Sequence, residues 1–234
     1  QMDLIQDVYS AFSQDYILIA EAGTGLGKSL AYLTAGFFSS KQKNIPLVVS
    51  TKTKNLQEQL FNIDIPQLSS VLNMDIKTVI YKGKHNYICK TRFEYVMDNH
   101  AQLLSADEYE ALLCLMVWEQ ETFTGDINEC NGFQLNRFKR LWSILRSERG
   151  YCSINKCKKY DGCYLGKIRE KIKDADIIIV NHSLFANELK SENSYLPSDF
   201  IYVIDEAHHF SNVIRSQLVQ EFSLKTFNDI FQYF

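Results

Sequence analysis

The chain contains 234 residues, of which 46% are hydrophobic and 23% are charged, and its formal net charge is −3. This composition is typical of a globular protein and excludes a disordered chain. The longest apolar runs are far shorter than the ~18 residues of a membrane-spanning helix, and no secretory segment is found near the start, so we expect no membrane partner. Because the chain begins with Gln1 and ends in an apolar aromatic stretch, we expect it to be a piece of a longer protein.

A glycine-rich loop follows the first predicted elements. Residues 1–12 have the apolar spacing of an amphipathic helix, residues 16–20 have strand character, and a helical pattern runs from Ser29 to Phe38. A glycine-rich loop at such a strand-to-helix turn binds phosphate through its backbone N–H groups and the helix N-terminus. The pattern predicts a nucleotide site in which Lys28 contacts the β- and γ-phosphates and Ser29 binds Mg²⁺, while a turn that binds nothing is the alternative. The predicted loop residues are Gly23, Thr24, Gly25, Leu26, Gly27, Lys28 and Ser29.

Further segments of strand character alternate with helical patterns, at residues 46–50, 76–81, 176–180 and 200–204. This alternation predicts an α/β fold with a parallel sheet that is covered by helices on both faces. Between the second and third of these segments, residues 92–149 have a helical pattern, and Ser105 and Glu108 are spaced for a capping box. We therefore expect a mostly helical insertion in the α/β domain.

The last predicted strand leads into Asp205, Glu206, Ala207 and His208. Ligands of parallel sheets bind beyond the carboxyl ends of the strands, where the glycine-rich loop is also expected. There, Asp205 is suited to hold Mg²⁺, and Glu206 is suited to activate a water molecule for attack on the γ-phosphate. A solvated turn is the alternative for the acidic pair, and a structural histidine is the alternative for His208.

Six cysteines without a secretory segment indicate a reducing compartment and favour metal binding over disulfides. The candidate ligands are three residues with four and five residues between them and one residue well upstream, namely Cys152, Cys157, Cys163 and Cys89. Zinc sites usually contain a two-residue spacing, which is absent here, and thiolates also hold iron–sulfur clusters. The spacing alone leaves iron, zinc and inert thiols open. Cys114 is predicted to be a core residue because it lies in an apolar run, whereas Cys130 is a rival fourth ligand.

Charge is distributed unevenly along the predicted insertion. Residues 98–130 contain eight acidic side chains and no Lys or Arg, whereas residues 137–173 contain twelve Lys or Arg and three acidic residues. A positive excess interleaved with aromatic residues is typical of a surface that binds nucleic-acid phosphates, and a solvated surface is the alternative. The lysines that we expect to contact nucleic acid are Lys156, Lys158 and Lys159.

Six motifs, in this order, resemble the first motor domain of the DinG/XPD-like iron–sulfur helicases of superfamily 2, and in particular the bacterial DinG branch. They are AGTGLGKS, STKTKNLQEQL, YKGKHNYIC, the three spaced cysteines, ADIIIVNHSLF and VIDEAHH. The resemblance implies a RecA-like helicase domain formed by residues 1–83 and 164–211. It also implies an iron–sulfur cluster domain at residues 84–163 and the start of an arch-like insertion at residues 212–234.

The resemblance implies an ATP-dependent DNA helicase that moves 5′ to 3′ on single-stranded or forked DNA, in DNA repair or replication. The implied protein is a monomer in the bacterial cytoplasm. The implied cofactors are ATP, Mg²⁺ and a [4Fe–4S] cluster on Cys89, Cys152, Cys157 and Cys163. The implied roles of further residues are DNA backbone contact for Ser50, Thr51 and Thr53, adenine recognition for Gln1, and coupling of ATP to DNA for His208. Capping of the helix that follows is the alternative role for the three hydroxyls.

The resemblance covers one motor domain. No second α/β half is present, so the motifs that would supply an arginine to the γ-phosphate are absent. We therefore expect the second motor domain of the same longer chain to be a partner, and we expect residues 1–234 to bind nucleotide but to hydrolyse ATP very slowly. Two other hypotheses stay open. One is a redox-sensing module in which the cluster controls DNA affinity, and the other is a zinc-stabilised nucleotide-binding protein without a DNA role.

Overall fold

The computed structural model describes residues 2–23, 26–148, 163–192 and 194–218. The chain divides into two compact units, one formed by Gln1–Ile80 and Asp176–Phe234 and the other by Tyr81–Ala175. These limits differ from the domain boundaries expected from the sequence. The assignment of the units to a helicase domain and an iron–sulfur domain stays a prediction. Among the described residues, no helix is both long and apolar enough to cross a membrane.

Within the described residues, the first unit begins with helices α1 (Met2–Gln14) and α2 (Lys28–Lys43), strand β1 (Leu47–Thr51), helices α3 (Lys54–Gln59) and α4 (Ile65–Leu72), and strand β2 (Thr78–Ile80). The second unit contains α5 (Lys90–Leu103), α6 (Ala106–Glu121), α7 (Lys139–Leu145) and α8 (Tyr164–Lys173). The chain then returns to the first unit with β3 (Ile177–Asn181), α9 (His182–Lys190), β4 (Ile201–Ile204) and α10 (Phe210–Leu218).

The four strands form one parallel sheet in the order β2-β3-β1-β4. In this sheet, Val49 of β1 lies opposite Ile179 of β3 on one side and Val203 of β4 on the other. All residues of β1 are buried, as are the first four residues of β3. This burial explains why both strands are largely continuous apolar runs, since a parallel strand that is covered on both faces has no polar side. The predicted α/β class with a parallel sheet is therefore confirmed.

Helices cover both faces of this sheet. Successive side chains of a strand point to opposite faces, and on one face Leu47 and Val49 of β1 share a core cluster with Phe37 of α2. On the other face, the ring of Phe185 in α9 lies 6.0 Å from the ring of Tyr202 in β4. The covering helices predicted from the sequence are therefore present, and they leave the carboxyl ends of the strands for a site.

The strand predicted at residues 16–20 is wrong, because the described residues of this segment form no strand. Ile17 and Ile19 are 84% and 93% exposed. A strand needs a neighbour that accepts and donates its backbone hydrogen bonds. In the described sheet, β4 lies at the edge and is paired with β1 only. The apolar run before the glycine-rich loop thus remains uncovered in the described part of the chain.

The second unit has its own hydrophobic core. The side chains at its centre come from α6 and α7 and are fully buried: Leu112, Leu115, Leu141 and Leu145. The capping box predicted at the start of α6 is present, because Glu108 N donates to Ser105 Oγ and the Glu108 carboxylate accepts from Ser105 N. Arg140 donates two further hydrogen bonds to the Glu108 carboxylate, at 2.9 and 2.6 Å. These hydrogen bonds are the main cause of a lowered pKa of Glu108.

A buried ion pair holds the segment that contains the motif YKGKHNYIC. Lys82 and Asp126 are both buried, and the Lys82 ammonium donates a hydrogen bond to the Asp126 carboxylate. The backbone N–H of Lys82 also donates to the hydroxyl of the buried Tyr87 at 3.1 Å. The lysine at the start of this motif therefore has a structural contact inside the second unit.

Candidate functional site

The amino end of α2 and the carboxyl end of β4 meet in the first unit. Gly27 precedes α2 with a φ of 72°, which is left-handed backbone that favours glycine. Lys28 is the first residue of the helix, and its Nζ atom lies 3.5 Å from Glu206 Oε1. The structure therefore brings together two residues that are 178 positions apart and that the sequence assigns to the same phosphate. Leu26, which the sequence also assigns to the glycine-rich loop, has an exposed side chain.

The turn after β4 determines where the two carboxylates lie. Asp205 N donates to Ser50 O of β1 at 2.9 Å, and Asp205 Oδ1 accepts from Glu206 N at 2.9 Å. Glu206 has a φ of 53°, a left-handed conformation that is uncommon outside glycine and often found at functional sites. Its two carboxylate oxygens lie 3.5 Å from Lys28 Nζ and 3.5 Å from His208 Nδ1. The backbone turn thus places Glu206 between a lysine and a histidine.

Tyr32 is a site residue that the sequence analysis did not identify. Its hydroxyl donates to Asp205 Oδ2 at 3.0 Å. Burial, and next the charge of Asp205, raises the pKa of Tyr32 well above its usual value, so the phenol stays protonated and remains a donor. The Ser29 side chain interacts both with Tyr32 and with the buried Asp64, whose pKa is raised by burial. The available signal was the four-residue spacing between Lys28 and Tyr32, which puts both on one face of α2.

A cavity of about 1000 Å³ lies beside these residues in the first unit. Its polar end is lined by Gly23, Lys28, Asp205 and Glu206, and much of the rest is lined by apolar residues of α1, residues 16–20 and β4. Small-molecule sites typically have this size and combine apolar walls with a few converging polar groups. One ammonium and two carboxylates at the polar end form the set of groups that a magnesium-bound triphosphate requires.

The three hydroxyls expected at the DNA backbone lie at or just after the end of β1 and differ in exposure. Ser50 and Thr51 are fully buried, at 0% exposure, whereas Thr53 is exposed. Thr53 Oγ1 accepts a hydrogen bond from Leu56 N at 3.2 Å and so caps α3. Of the three, only Thr53 presents its hydroxyl at the surface of the first unit. The capping alternative is therefore realised for this residue.

Ser50 joins the ends of three strands. Its carbonyl accepts from Asp205 N after β4, and its hydroxyl lies 2.7 Å from His182 Nδ1 after β3. His182 is buried, and burial lowers its pKa, so it is neutral at neutral pH. The residue before it, Asn181, caps α9 by accepting from Leu184 N at 2.7 Å. The pair Asn181–His182 therefore fixes local geometry next to the acidic turn.

A row of polar side chains runs from the acidic turn to the loop after β1. His208 contacts Glu206, and its ring centroid lies 3.9 Å from that of His209. His209 Nε2 in turn lies 3.0 Å from Lys52 Nζ, next to Thr53. Desolvation and the neighbouring His208 and Lys52 lower the pKa of His209. This row provides a physical connection between the candidate nucleotide site and the surface around Thr53.

Two of the four candidate cluster ligands lie in the described part of the second unit. Cys89 precedes α5 and is buried, and Cys163 precedes α8 and accepts a hydrogen bond from Gly166 N at 3.2 Å. Neither residue forms a disulfide. Both candidate ligands therefore lie at the N-terminal end of a helix. Among the described residues, no group of three or more His, Cys, Asp or Glu side chains is arranged as a metal site.

Several predicted site residues lie outside the described residues, and their roles stay predictions. They are Gln1, Thr24, Gly25, Cys152, Lys156, Cys157, Lys158 and Lys159. Of the two remaining cysteines, Cys130 is buried, and its Sγ lies 3.9 Å from Cys114 Sγ in the second unit.

Comparisons with known proteins identify a family and several relatives that resemble this chain. The DEAD_2 family matches residues 49–227. The chain is 31% identical over 236 residues to "ATP-dependent DNA helicase YoaA" of Haemophilus influenzae, covering 98% of this chain and 36% of that protein. It is 30% identical over 221 residues to "3'-5' exonuclease DinG" of Bacillus subtilis, covering 93% of this chain and 23% of that protein. The chain thus spans well under half the length of these relatives. A solved structure described as truncated XPD is 16% identical with a TM-score of 0.49, covering 91% of this chain and 54% of that chain.

Proposed function

The chain belongs to the DEAD_2 family, and on that basis we propose that it is the nucleotide-binding motor domain of an ATP-dependent DNA helicase. Relatives that carry this activity in their names align with nearly the whole chain, although the chain spans only 36% of their length. We propose further that the longer protein moves 5′ to 3′ on single-stranded or forked DNA in the cytoplasm of a bacterial cell. The single observation that carries the proposal is the pairing of Lys28 with Glu206 beside Asp205.

In the proposed reaction, Lys28 exchanges its partner when ATP binds. Its ammonium leaves Glu206 and contacts the β- and γ-phosphates, which carry more negative charge than one carboxylate. The Glu206 carboxylate is then released to accept a proton from the attacking water. The lysine thus keeps the general base occupied until nucleotide is present.

Magnesium, when bound, neutralises the charge that develops on the phosphate oxygens. The residues that suit it are Asp205 and Ser29. Asp205 is oriented by hydrogen bonds from Tyr32 and Glu206 N, and such second-sphere contacts keep a ligating carboxylate in place. We therefore assign to Tyr32 the role of a positioning residue for Asp205.

We propose that His208 couples the nucleotide site to DNA through His209 and Lys52. The contacts that support this role run without a gap from Glu206 to the surface beside Thr53. Ser50 and Thr51 have their hydroxyls inside the protein. The proposed backbone contact in the first unit therefore falls on Thr53 and its neighbour Lys52.

For the second unit we propose a [4Fe–4S] cluster held by Cys89, Cys152, Cys157 and Cys163. The positions of Cys89 and Cys163 at helix N-termini support thiolate ligands. A cluster supplies a covalent link between distant positions of the chain and so stabilises the folded unit. We also propose that the basic segment at residues 137–173 contacts single-stranded DNA through Lys156, Lys158 and Lys159.

The DNA proposal for the second unit is tested by the salt dependence of binding. Each phosphate contact to single-stranded nucleic acid contributes about 0.7 to the slope of log affinity against log salt concentration. Replacing Lys156, Lys158 and Lys159 with Ala is therefore expected to reduce that slope by up to about 2, measured by fluorescence anisotropy with a labelled oligonucleotide. A slope equal to that of the wild-type chain would show that these lysines do not contact DNA.

The helicase proposal is tested by comparing residues 1–234 with a longer chain that includes the proposed second motor domain. An arginine reaching the γ-phosphate typically contributes about 10³ to 10⁵ in rate, and we propose that the second motor domain of the longer protein supplies it. We expect the shorter chain to bind a fluorescent ATP analogue with Mg²⁺ and to hydrolyse ATP very slowly, and the longer chain to show DNA-stimulated hydrolysis and unwinding. Glu206→Gln in the longer chain is the control, because it removes the base and is expected to keep binding. Equal DNA-stimulated rates in both chains would contradict the proposal.

A further inference from the structure

Two thiols outside the proposed cluster ligands lie side by side in the second unit. The Sγ atoms of Cys114 in α6 and of Cys130 are 3.9 Å apart, and neither residue forms a disulfide. Cys130 is buried, whereas Cys114 is partly exposed and lines a surface cavity of about 190 Å³. A β-carbon at Gly132 would lie 2.8 Å from Cys114 Sγ, so the backbone just after Cys130 packs directly against this thiol. The fold therefore holds one accessible thiol in front of one buried thiol.

We propose that Cys114 and Cys130 form a dithiol site that low-molecular-weight disulfides oxidise to an intramolecular disulfide. A disulfide bond is about 2 Å long, so the two sulfur atoms have to approach each other by about 2 Å. The proposal requires that side-chain rotation at Cys114 and Cys130 supply this movement.

The cavity beside Cys114 has a charged rim and an aromatic wall. Arg137 and Asp107, both exposed, form an ion pair with a 2.8 Å contact at this cavity. Glu110 adds a second carboxylate to the lining, which therefore contains one cationic and two acidic side chains. The aromatic rings of Phe133 and Phe138 form part of the wall. The cavity thus provides the side from which a small disulfide approaches Cys114, and oxidised glutathione serves as the probe.

The reaction has two thiol–disulfide exchange steps. The Cys114 thiolate attacks one sulfur of the small disulfide, forms a mixed disulfide and expels the first small thiolate. The Cys130 thiolate then attacks Cys114 Sγ, forms the protein disulfide and expels the second small thiolate. Two protein thiols are oxidised and one small disulfide is reduced, and the two protons lost by the protein end on the two small thiols.

The second step is expected to depend strongly on pH. Burial, followed by the neighbouring Cys114, raises the pKa of Cys130 to about 11. Backbone N–H groups of Phe133 and Gly132 act in the opposite direction. Cys130 is therefore protonated at neutral pH, and its attack is expected to accelerate about tenfold per pH unit between about pH 7 and pH 9.

A tryptic digest isolates this dithiol from every proposed cluster ligand. No Lys or Arg occurs between residues 93 and 136, so one peptide, residues 93–137, carries Cys114 and Cys130 and no other cysteine. The purified chain is incubated with oxidised glutathione, quenched with acid, alkylated without reduction, digested and measured by mass spectrometry. We expect that Cys114 and Cys130 together become unreactive towards the alkylating reagent. The mass of this peptide is then expected to be two hydrogen atoms below that of the unalkylated reduced peptide. Dithiothreitol is expected to restore both sites.

Single variants separate the two steps. In Cys130→Ser, glutathione is expected to remain attached to Cys114, because the resolving thiol is absent. In Cys114→Ser, Cys130 is expected to react at least tenfold more slowly than Cys114 does in Cys130→Ser, because it is buried. The proposal is overturned if the wild-type chain accumulates the Cys114 adduct without closing the disulfide, if the peptide stays reduced, or if Cys130 is found linked to a cysteine of another peptide.

Discussion

Replacing Lys28 with Ala is expected to weaken ATP binding by about 100-fold while the fold remains intact. Lys28 is the first residue of α2, and its ammonium is the cation at the polar end of the described cavity that we assign to the β- and γ-phosphates. The glycines of the loop provide backbone N–H groups but no charge. The substitution therefore removes an interaction that the rest of the loop does not replace.

The expected loss of ATP affinity follows from two properties of Lys28: the exposure of its side chain, and its pairing with Glu206 in the absence of nucleotide. Opposite unit charges about 4 Å apart interact by about 4 kcal/mol at an effective dielectric constant of about 20. Before ATP binds, however, Lys28 Nζ lies 3.5 Å from Glu206 Oε1, and the two side chains are 31% and 39% exposed. A pair with this exposure contributes at most about 1 kcal/mol, which has to be subtracted. The net loss of about 3 kcal/mol corresponds to about 100-fold in Kd.

Isothermal titration calorimetry with ATP and Mg²⁺ measures this change directly. The matched control is Lys41→Ala in the last turn of the same helix, where the Nζ atom pairs with Asp176 at 2.6 Å. This variant also removes a lysine from α2, and it is expected to bind ATP as the wild-type chain does. Circular dichroism confirms that both variants are folded. A loss of less than about threefold in Lys28→Ala, or an equal loss in Lys41→Ala, would refute the assignment of Lys28 to the phosphates.

Three further predictions concern the second unit. Lys82→Met is expected to destabilise the fold by about 3–5 kcal/mol in urea unfolding, because it leaves the Asp126 carboxylate buried without a counter-charge. A second change, Asp126→Asn, removes that charge but keeps an acceptor for Asn128 N, and it is expected to restore most of the loss. The pKa of Glu108 is lower in the folded state than in the unfolded chain, so the ionised carboxylate stabilises the fold above about pH 4.3. This contribution is lost as the pH falls through the folded-state pKa. In Glu108→Gln, the free energy of unfolding is therefore expected to depend less on pH on the acid side. Cys89→Ser is expected to lose iron and visible absorbance whereas Cys130→Ser keeps both, and iron and sulfide analysis with the reverse result would overturn the proposed ligand set.

Features encoded by neighbouring residues were predictable. The capping box of Ser105 and Glu108 depends on a three-residue spacing, and it is present as predicted. The continuous apolar runs of β1 and β3 indicated buried parallel strands, because such strands lose their polar alternation when both faces are covered. The acidic pair Asp205–Glu206 directly follows an apolar run in the sequence and was therefore expected at a strand end. In the structure it follows β4.

Features that depend on distant partners were not predictable. The run at residues 16–20 has the composition of a strand, yet it forms none in the described structure, because strand formation requires a paired neighbour and not composition alone. Tyr32 gave no signal stronger than its helical spacing, and its hydrogen bond to Asp205 spans 173 positions. The burial of Ser50 against His182 likewise joins β1 to the first residue of α9, 132 positions away.

The sequence by itself determined which chemical groups this protein has for phosphate, magnesium and thiolate chemistry, because residue types and short spacings encode them. Only the tertiary structure decided which of these groups contact each other. It paired Lys28 with Glu206, Lys82 with Asp126 and Cys114 with Cys130. The physical reason is that a contact between distant positions depends on the path of the chain and on side-chain packing, and neither is contained in a local pattern.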